Sequence, residues 1–300
     1  MGTGSIQNWR WWIYQKERFP ILAHGILILI FSTATLGFTR QIQSLTGWPE
    51  AAEQLAAFIS SFVLFFLLRV ADEFKDFEED KKYRSYRPIP RGLVTLNELA
   101  IVAFVLAVIQ FILTIYTSPD NLLLLILLWS YFLLMSREFF VPVWLKQHLF
   151  IYMLSHMLIM AMLVLHISSF QWQQSPLNIL QPISLFMMLS YVNGMILEIG
   201  RKLRAPSEEE FGVETYSSLW GYRQASMIWL GLILVSAVIA ACAASYISRV
   251  LLSVFLSSGI FLVILIVVLR FIRRPGSGKA IEQLSAIWLI GSYLHLGMII

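Results

Sequence analysis

The chain has 300 residues, 58% hydrophobic and 13% charged, with a formal net charge of +4 and a mean hydropathy of +0.73. A soluble domain is roughly 25% charged, and 22 basic plus 18 acidic residues cannot clothe a water-soluble protein of this length. Secreted, disordered, collagen-like and nucleic-acid-binding classes are thereby excluded, leaving an all-α, polytopic integral membrane protein, read as a single helical domain over residues 1–300.

Trp9, Trp11, Trp12 and Tyr14 precede the first apolar run and suit an interfacial aromatic belt. A helix needs about 20 apolar residues to cross roughly 30 Å of hydrocarbon. Nine such spans are expected, at Pro20–Phe38, Ala51–Val70, Leu96–Tyr116, Asn121–Met135, His148–Ser168, Ile179–Ile199, Ala225–Ser245, Val250–Phe271 and Ile281–Ile300. Their uniform apolarity, without alternation, argues against a β-barrel. The first run is long and lacks a small-residue cleavage site behind it, so it reads as a retained helix and not a signal peptide. With nine spans, every Lys and Arg except Arg40 and Arg249 falls on one side. The positive-inside bias makes that side cytoplasmic, with the N-terminus and the two longest loops on it. The lone cysteine, Cys242, lies in an apolar run and reads as a small core residue; no disulfide within the chain can form.

Acidic residues concentrate in those two loops. After the second span come Asp72, Glu73, Asp76, Glu78, Glu79 and Asp80, interleaved with Lys75 and followed by Lys81, Lys82, Arg84 and Arg87. In a helix continued past the membrane, Asp72, Asp76 and Asp80 at i, i+4 and i+8 stack along one face. Stacked like charges repel by about 0.2–0.5 kcal/mol per pair, and a divalent cation reverses that penalty. Oxygen-only ligands suit Mg²⁺, which takes one or two carboxylates plus substrate phosphates. The competing reading is a solvated loop whose lysines pair with its acids. Position weighs towards function, because the acids emerge directly from an apolar helix.

After the sixth span come Glu198, Arg201, Lys202, Arg204, Glu208, Gly212 and Thr215. Glu198 ends that span as Asp72 and Glu73 end the second. A carboxylate-plus-base group thus recurs after four helices, suggesting two four-helix halves and one extra helix. If the halves face each other, both groups border one cytoplasmic cavity suited to Mg²⁺ and diphosphate.

The first cluster resembles the Asn-Asp-x-x-Asp-x-x-x-Asp motif of the UbiA superfamily of intramembrane prenyltransferases. Glu73, Asp76 and Asp80 match its acidic positions, and Asp72 stands where Asn is usual. Arg87-Pro88-Ile89-Pro90-Arg91-Gly92 matches the Arg-Pro-x-Pro-x-Gly segment that follows in the family. The second cluster resembles the family's second Asp-rich motif. Gly212 and Thr215 fit its Gly-x-x-Thr stretch, Glu208 takes the place of its final Asp, and Glu198 replaces its leading Asp at a longer interval.

The resemblance implies an isoprenyl diphosphate substrate, with Asp72, Glu73, Asp76, Asp80 and Glu198 holding one or two Mg²⁺ ions. Lys75, Arg84, Arg87, Arg201 and Lys202 would neutralise the diphosphate, Glu208 would lie on the substrate side, and Tyr191 and Phe66 would shield the allylic cation. Packing is the competing role for those two rings. The expected reaction is prenyl transfer within the membrane to an aromatic, lipid or other electron-rich acceptor. A UbiA-type terpene cyclase is the alternative. A divalent-cation transporter ranks lower, since the span interiors offer chiefly His24, His156 and Asn193. Gly276-Ser277-Gly278-Lys279 reads as a turn and not a phosphate loop, because Ala280 follows the lysine.

Overall fold

The computed structural model describes residues 3–209 and 215–298, with side chains from Trp9 onward, so Gly212 lies outside the described residues. Every regular element among them is helical. In chain order they are α1 (Thr3–Arg18), α2 (Ile21–Ile42), α3 (Ala51–Lys75), α4 (Phe77–Tyr83), α5 (Leu96–Thr117), α6 (Leu122–Ser136) and α7 (Pro142–Gln147). There follow α8 (Leu149–Ser168), α9 (Pro176–Arg201), α10 (Tyr216–Trp220), α11 (Tyr222–Ser245), α12 (Val250–Arg273) and α13 (Lys279–Tyr293).

Eight helices among the described residues are long and apolar enough to cross a membrane. The ninth expected span is α13, only 15 residues long, prolonged by a π-helical turn over Leu294–Met298. Local chemistry sets several boundaries. Thr95 and Glu98 form a reciprocal capping box that starts α5. Pro176 opens α9, where its missing N–H would have no helical partner anyway. Helix α3 outruns the expected Val70 and ends at Lys75, so Asp72 and Glu73 ride on it.

The chain divides into two compact units, one formed by residues up to Ser32 with Glu50–Pro142, the other by Thr33–Pro49 with the chain from Val143 onward. The first unit has a core of Tyr14, Phe19, Phe66, Val70, Ile89, Val94 and Leu99, which ties α1, α3, α5 and the loop before α5 together. Phe66 stacks edge-on against Phe19 there. The aromatic belt is only half as expected. Trp9 and Trp12 are 64% and 56% exposed, but Tyr14 is 1% exposed. Helical periodicity accounts for this, because Trp9 and Trp12 share a face three residues apart and Tyr14 turns to the opposite one. His24, also in this unit, bonds within its own helix to the Pro20 carbonyl and stacks on Phe19.

The second unit is held by close backbone approaches and buried polar bonds, the usual means of packing apolar helices where water supplies no hydrophobic force. A β-carbon at Gly37 would overlap the Gly297 carbonyl, and one at Gly297 would overlap Ala34. Asn193 donates to Ser292 Oγ (3.0 Å) and accepts from Ser236 Oγ (2.8 Å), which in turn accepts from Trp288 Nε1 (3.0 Å). Trp229 Nε1 donates to the Ile196 carbonyl at 2.9 Å. His156 stacks on Tyr152 and meets its carbonyl oxygen. Cys242 departs from the core role expected of it: it is exposed on α11, whose buried side is lined by Ile239, Ala240, Ala243 and Ala244.

Replacing Gly297 with Ala forces α2 and the π-helical turn apart. Overpacking of this kind typically costs about 1–3 kcal/mol, and the detergent-solubilised variant should melt at a visibly lower Tm than the wild type.

Candidate active site

The acidic row in the first unit is built at a break between two helices. Asp76 closes α3 and opens α4, with φ −89° and ψ 2°. The i to i−4 backbone bonds nevertheless run through the joint, from Asp76 N to Asp72 O (2.9 Å) and from Asp80 N to Asp76 O (2.8 Å). The three aspartates therefore follow one another in helical register, but they differ in exposure. The side chain of Asp72 is 50% exposed, whereas those of Asp80 and the adjacent Glu73 are 2% exposed.

Burial at the end of an apolar helix obliges both inner carboxylates to find cations. Arg18 Nε donates to Glu73 Oε1 at 2.6 Å, and its Nη2 lies 4.0 Å from Asp80. Arg84 and Arg87 close on Asp80 at 3.0 Å and 2.6 Å. Arg87 is steady because its loop is anchored. Ile89 is buried in the core of this unit, and Gly92, at φ +76°, makes the left-handed turn that leads the chain into α5. The Arg-Pro-x-Pro-x-Gly segment thus presents an arginine to the acidic row from a hydrophobic footing.

Asp76 and Asp72 are held less tightly. Asp72 has only Arg69 at 3.7 Å, and Asp76 has no ion-pair partner among the described residues. Burial, followed by the charge of Asp72, raises the Asp76 carboxyl above its usual value. Lys75 Nζ lies 2.7 Å from Glu138 Oε1, a buried residue beyond the end of α6. Above the row, the buried Tyr14 hydroxyl has no hydrogen-bond partner among the described residues, and burial with the charge of Glu73 raises its pKa.

In the second unit Glu198 sits in the last turn of α9, its carboxylate clasped by Arg201 (2.5 Å) and Lys202 (2.8 Å). Tyr216 is buried beside them, with Lys202 Nζ 5.9 Å from its ring centre, and burial followed by the charge of Glu198 raises its pKa. Glu208 accepts from the backbone N–H of Gly278 at 2.7 Å, fixing the turn between α12 and α13. Gly278 is obligatory there, since a β-carbon would overlap the Leu203 carbonyl. Thr215 donates to Glu209 at 2.7 Å and caps α10. Tyr191 donates to the Leu154 carbonyl at 3.1 Å, tying α9 to α8.

Within the first unit the structure brings Glu73, Asp80, Arg84 and Arg87 together; within the second it brings Glu198, Arg201 and Lys202 together. Among the described residues, no three His, Cys, Asp or Glu side chains converge as a ready-made metal cage. Of the four acids expected to hold a metal in the first unit, Asp72 and Asp76 are the two that no arginine approaches within 3.0 Å. Sequence reasoning missed Arg18, Tyr14 and Glu138. Arg18 and Glu138 meet partners 55 or more residues away along the chain, and Tyr14 lies as far from the acid whose charge it feels, so no spacing rule couples these positions.

The UbiA prenyltransferase family model matches residues 19–290 of the chain. No curated protein matches it. Among solved structures, that of a digeranylgeranylglyceryl phosphate synthase in membranes superposes with a TM-score of 0.58 at 13% sequence identity, covering 95% of this chain and 99% of the other. At that identity the likeness is one of fold.

Arg18→Gln leaves Glu73 charged and unpaired in an apolar setting. Breaking a buried pair from one side costs about 3–5 kcal/mol, and the loss should be read as a large fall in Tm that Arg18→Gln/Glu73→Gln partly restores. Glu208 offers a pH signature. The Gly278 N–H above all holds its carboxyl below the ordinary 4.5. Its ionised form therefore stabilises the protein above that value, and the benefit fades as pH falls through the lower folded pKa. The Tm gap between wild type and Glu208→Gln should accordingly be full near neutrality and shrink below pH 4.5.

Proposed function

The chain belongs to the UbiA prenyltransferase family, and on that premise we propose that it ionises an isoprenyl diphosphate in a Mg²⁺-dependent manner. The prenyl group then passes to an aromatic or other electron-rich acceptor within the membrane. The observation that carries this reading is the division of labour in the acidic row. Glu73 and Asp80 are taken up by arginines at 2.6 Å, while Asp72 and Asp76 keep carboxylate oxygens outside such close pairs at the end of an apolar helix. One or two carboxylates, with the rest of the shell from phosphate and water, is how Mg²⁺ is usually held. The donor set therefore fits an ion that arrives with its diphosphate.

Such an ion, when bound, offsets the diphosphate charge and makes pyrophosphate a better leaving group. The chain's own residues do the remainder. Asp72 and Asp76 orient the polar head, and Arg84 and Arg87, already fixed on Asp80, present guanidinium N–H groups towards phosphate oxygens. Glu73 and Asp80 act chiefly by holding those arginines and Arg18 in place. In the second unit Glu198, with Arg201 and Lys202, takes the corresponding acidic and basic roles, and Glu208 holds the neighbouring loop. Apolar helices accommodate the isoprenoid tail. Tyr191 and Phe66 are assigned to packing, in keeping with their bonds to Leu154 and Phe19. The positive-inside distribution supports a cytoplasmic N-terminus and cytoplasmic acidic loops.

Asp76→Asn keeps size and removes charge, so turnover should fall by roughly 10²-fold or more with little change in Tm. The direct assay incubates purified protein with Mg²⁺ and one prenyl diphosphate, with and without a candidate acceptor, and analyses products by mass spectrometry. A prenylated acceptor is expected. A cyclic hydrocarbon formed without acceptor would instead assign the protein to the terpene cyclases of the superfamily, and near-normal activity of the Asp76 variant would remove the metal role.

A further inference from the structure

Lys75 is the only basic residue inside the acidic row, adjacent to Asp76 and three positions from Asp72. At three positions on a helix a lysine is well placed to pair with Asp72. Its ammonium is instead 2.7 Å from Glu138 Oε1, in the segment after α6.

That segment is unusual in two respects. Glu138, Phe139 and Phe140 are three successive non-glycine residues in the left-handed region, with φ 48°, 52° and 62°. L-residues avoid this conformation, and a run of three persists only where the surroundings over-determine it. The turn also buries the charged residue and turns the apolar one out: Glu138 is 4% exposed and Phe140 74%. Phe139 packs its ring on Tyr131 of α6 and braces the turn from behind. Glu138 Oε2 is buried without a hydrogen-bond partner among the described residues. A costly backbone and a buried carboxylate are thus combined to deliver one negative charge to Lys75.

We infer that Glu138 is a positioning residue for the cation-binding end of the acidic row. It draws the Lys75 ammonium into an ion pair of its own, so that the oxygens of Asp72 and Asp76 stay open to a metal–diphosphate head group while the lysine remains close enough to meet phosphate oxygens. The inference rests on the magnesium–diphosphate reading given above. It differs from a plain structural tie in what it predicts for Lys75: the lysine becomes a competitor of the cation once Glu138 loses its charge.

The test measures Mn²⁺ binding by electron paramagnetic resonance in detergent-solubilised protein with inorganic pyrophosphate present, alongside Tm, for wild type, Glu138→Gln, Glu138→Asp, Lys75→Gln and Glu138→Gln/Lys75→Gln. Wild type should bind, and Glu138→Gln should bind about tenfold more weakly, as expected when a nearby ammonium quenches the site. Glu138→Asp should retain most of the affinity. In the Lys75→Gln background, Glu138→Gln should make no further difference to Mn²⁺ affinity, whatever it does to Tm. Wild-type binding with Glu138→Gln unchanged, or an equal loss from Glu138→Gln with and without Lys75, overturns this inference alone. Absence of Mn²⁺ binding by the wild type overturns the magnesium reading and this inference with it. Should Glu138→Gln not fold, the double variant, which leaves no unpaired charge, carries the comparison with Lys75→Gln.

Discussion

A carboxylate at the end of an apolar helix has to be met by a cation, and the first unit is organised around that requirement. Glu73 and Asp80 lie almost wholly out of solvent, where an unpaired charge is prohibitive. Three arginines from two places answer them: Arg18 from the end of α1, and Arg84 and Arg87 from the loop beyond α4. Arg18 and Arg87 flank residues buried in the hydrophobic core, and Arg84 follows Asp80 by one helical turn. Tyr14 and Phe19 bury the end of α1, and Ile89 buries the arginine loop in the same core. Removing the packing would therefore remove the electrostatics, which links the core of this unit to its chemistry.

The same rule leaves a residue of open charge. Because Glu73 and Asp80 absorb the arginines, Asp72 and Asp76 remain weakly compensated at the rim. An oxygen pair of this kind is a poor resident metal site, and no closed cage exists among the described residues. The proposed magnesium ion would bring most of its ligands with it. The second unit treats its acid differently. Glu198 is satisfied by two bases from its own helix end, and the interior beneath it is stitched by neutral donors and acceptors around Asn193, Ser236 and Trp288. Neutral bonds of that sort add specificity to helix packing without the desolvation penalty of ions.

Much of the architecture is legible in the order of residues alone. A run such as Leu96–Thr117 has no other stable form in a membrane than a helix, because its backbone groups must bond within the segment. The Thr95–Glu98 box marks its start, and the acids from Asp72 to Asp80 with the Arg-Pro-x-Pro-x-Gly segment mark the charged end of α3. The family follows from those same residues. What one-dimensional reasoning misjudged has a common origin. It set Tyr14 in a surface belt and Cys242 in the core, and both depend on which face of a helix meets a neighbour.

Sequence by itself determined the helical spans, the loops that carry charge and the acidic and basic residue types within them, because these are properties of short segments and their solvent. Only the tertiary structure decided which carboxylates are spent on arginines and which stay open, and that Arg18 and Glu138, far from the motif along the chain, hold its charges in place. Pairing between distant charges is set by the packing of the helices that bring them together, and no local pattern encodes that distance.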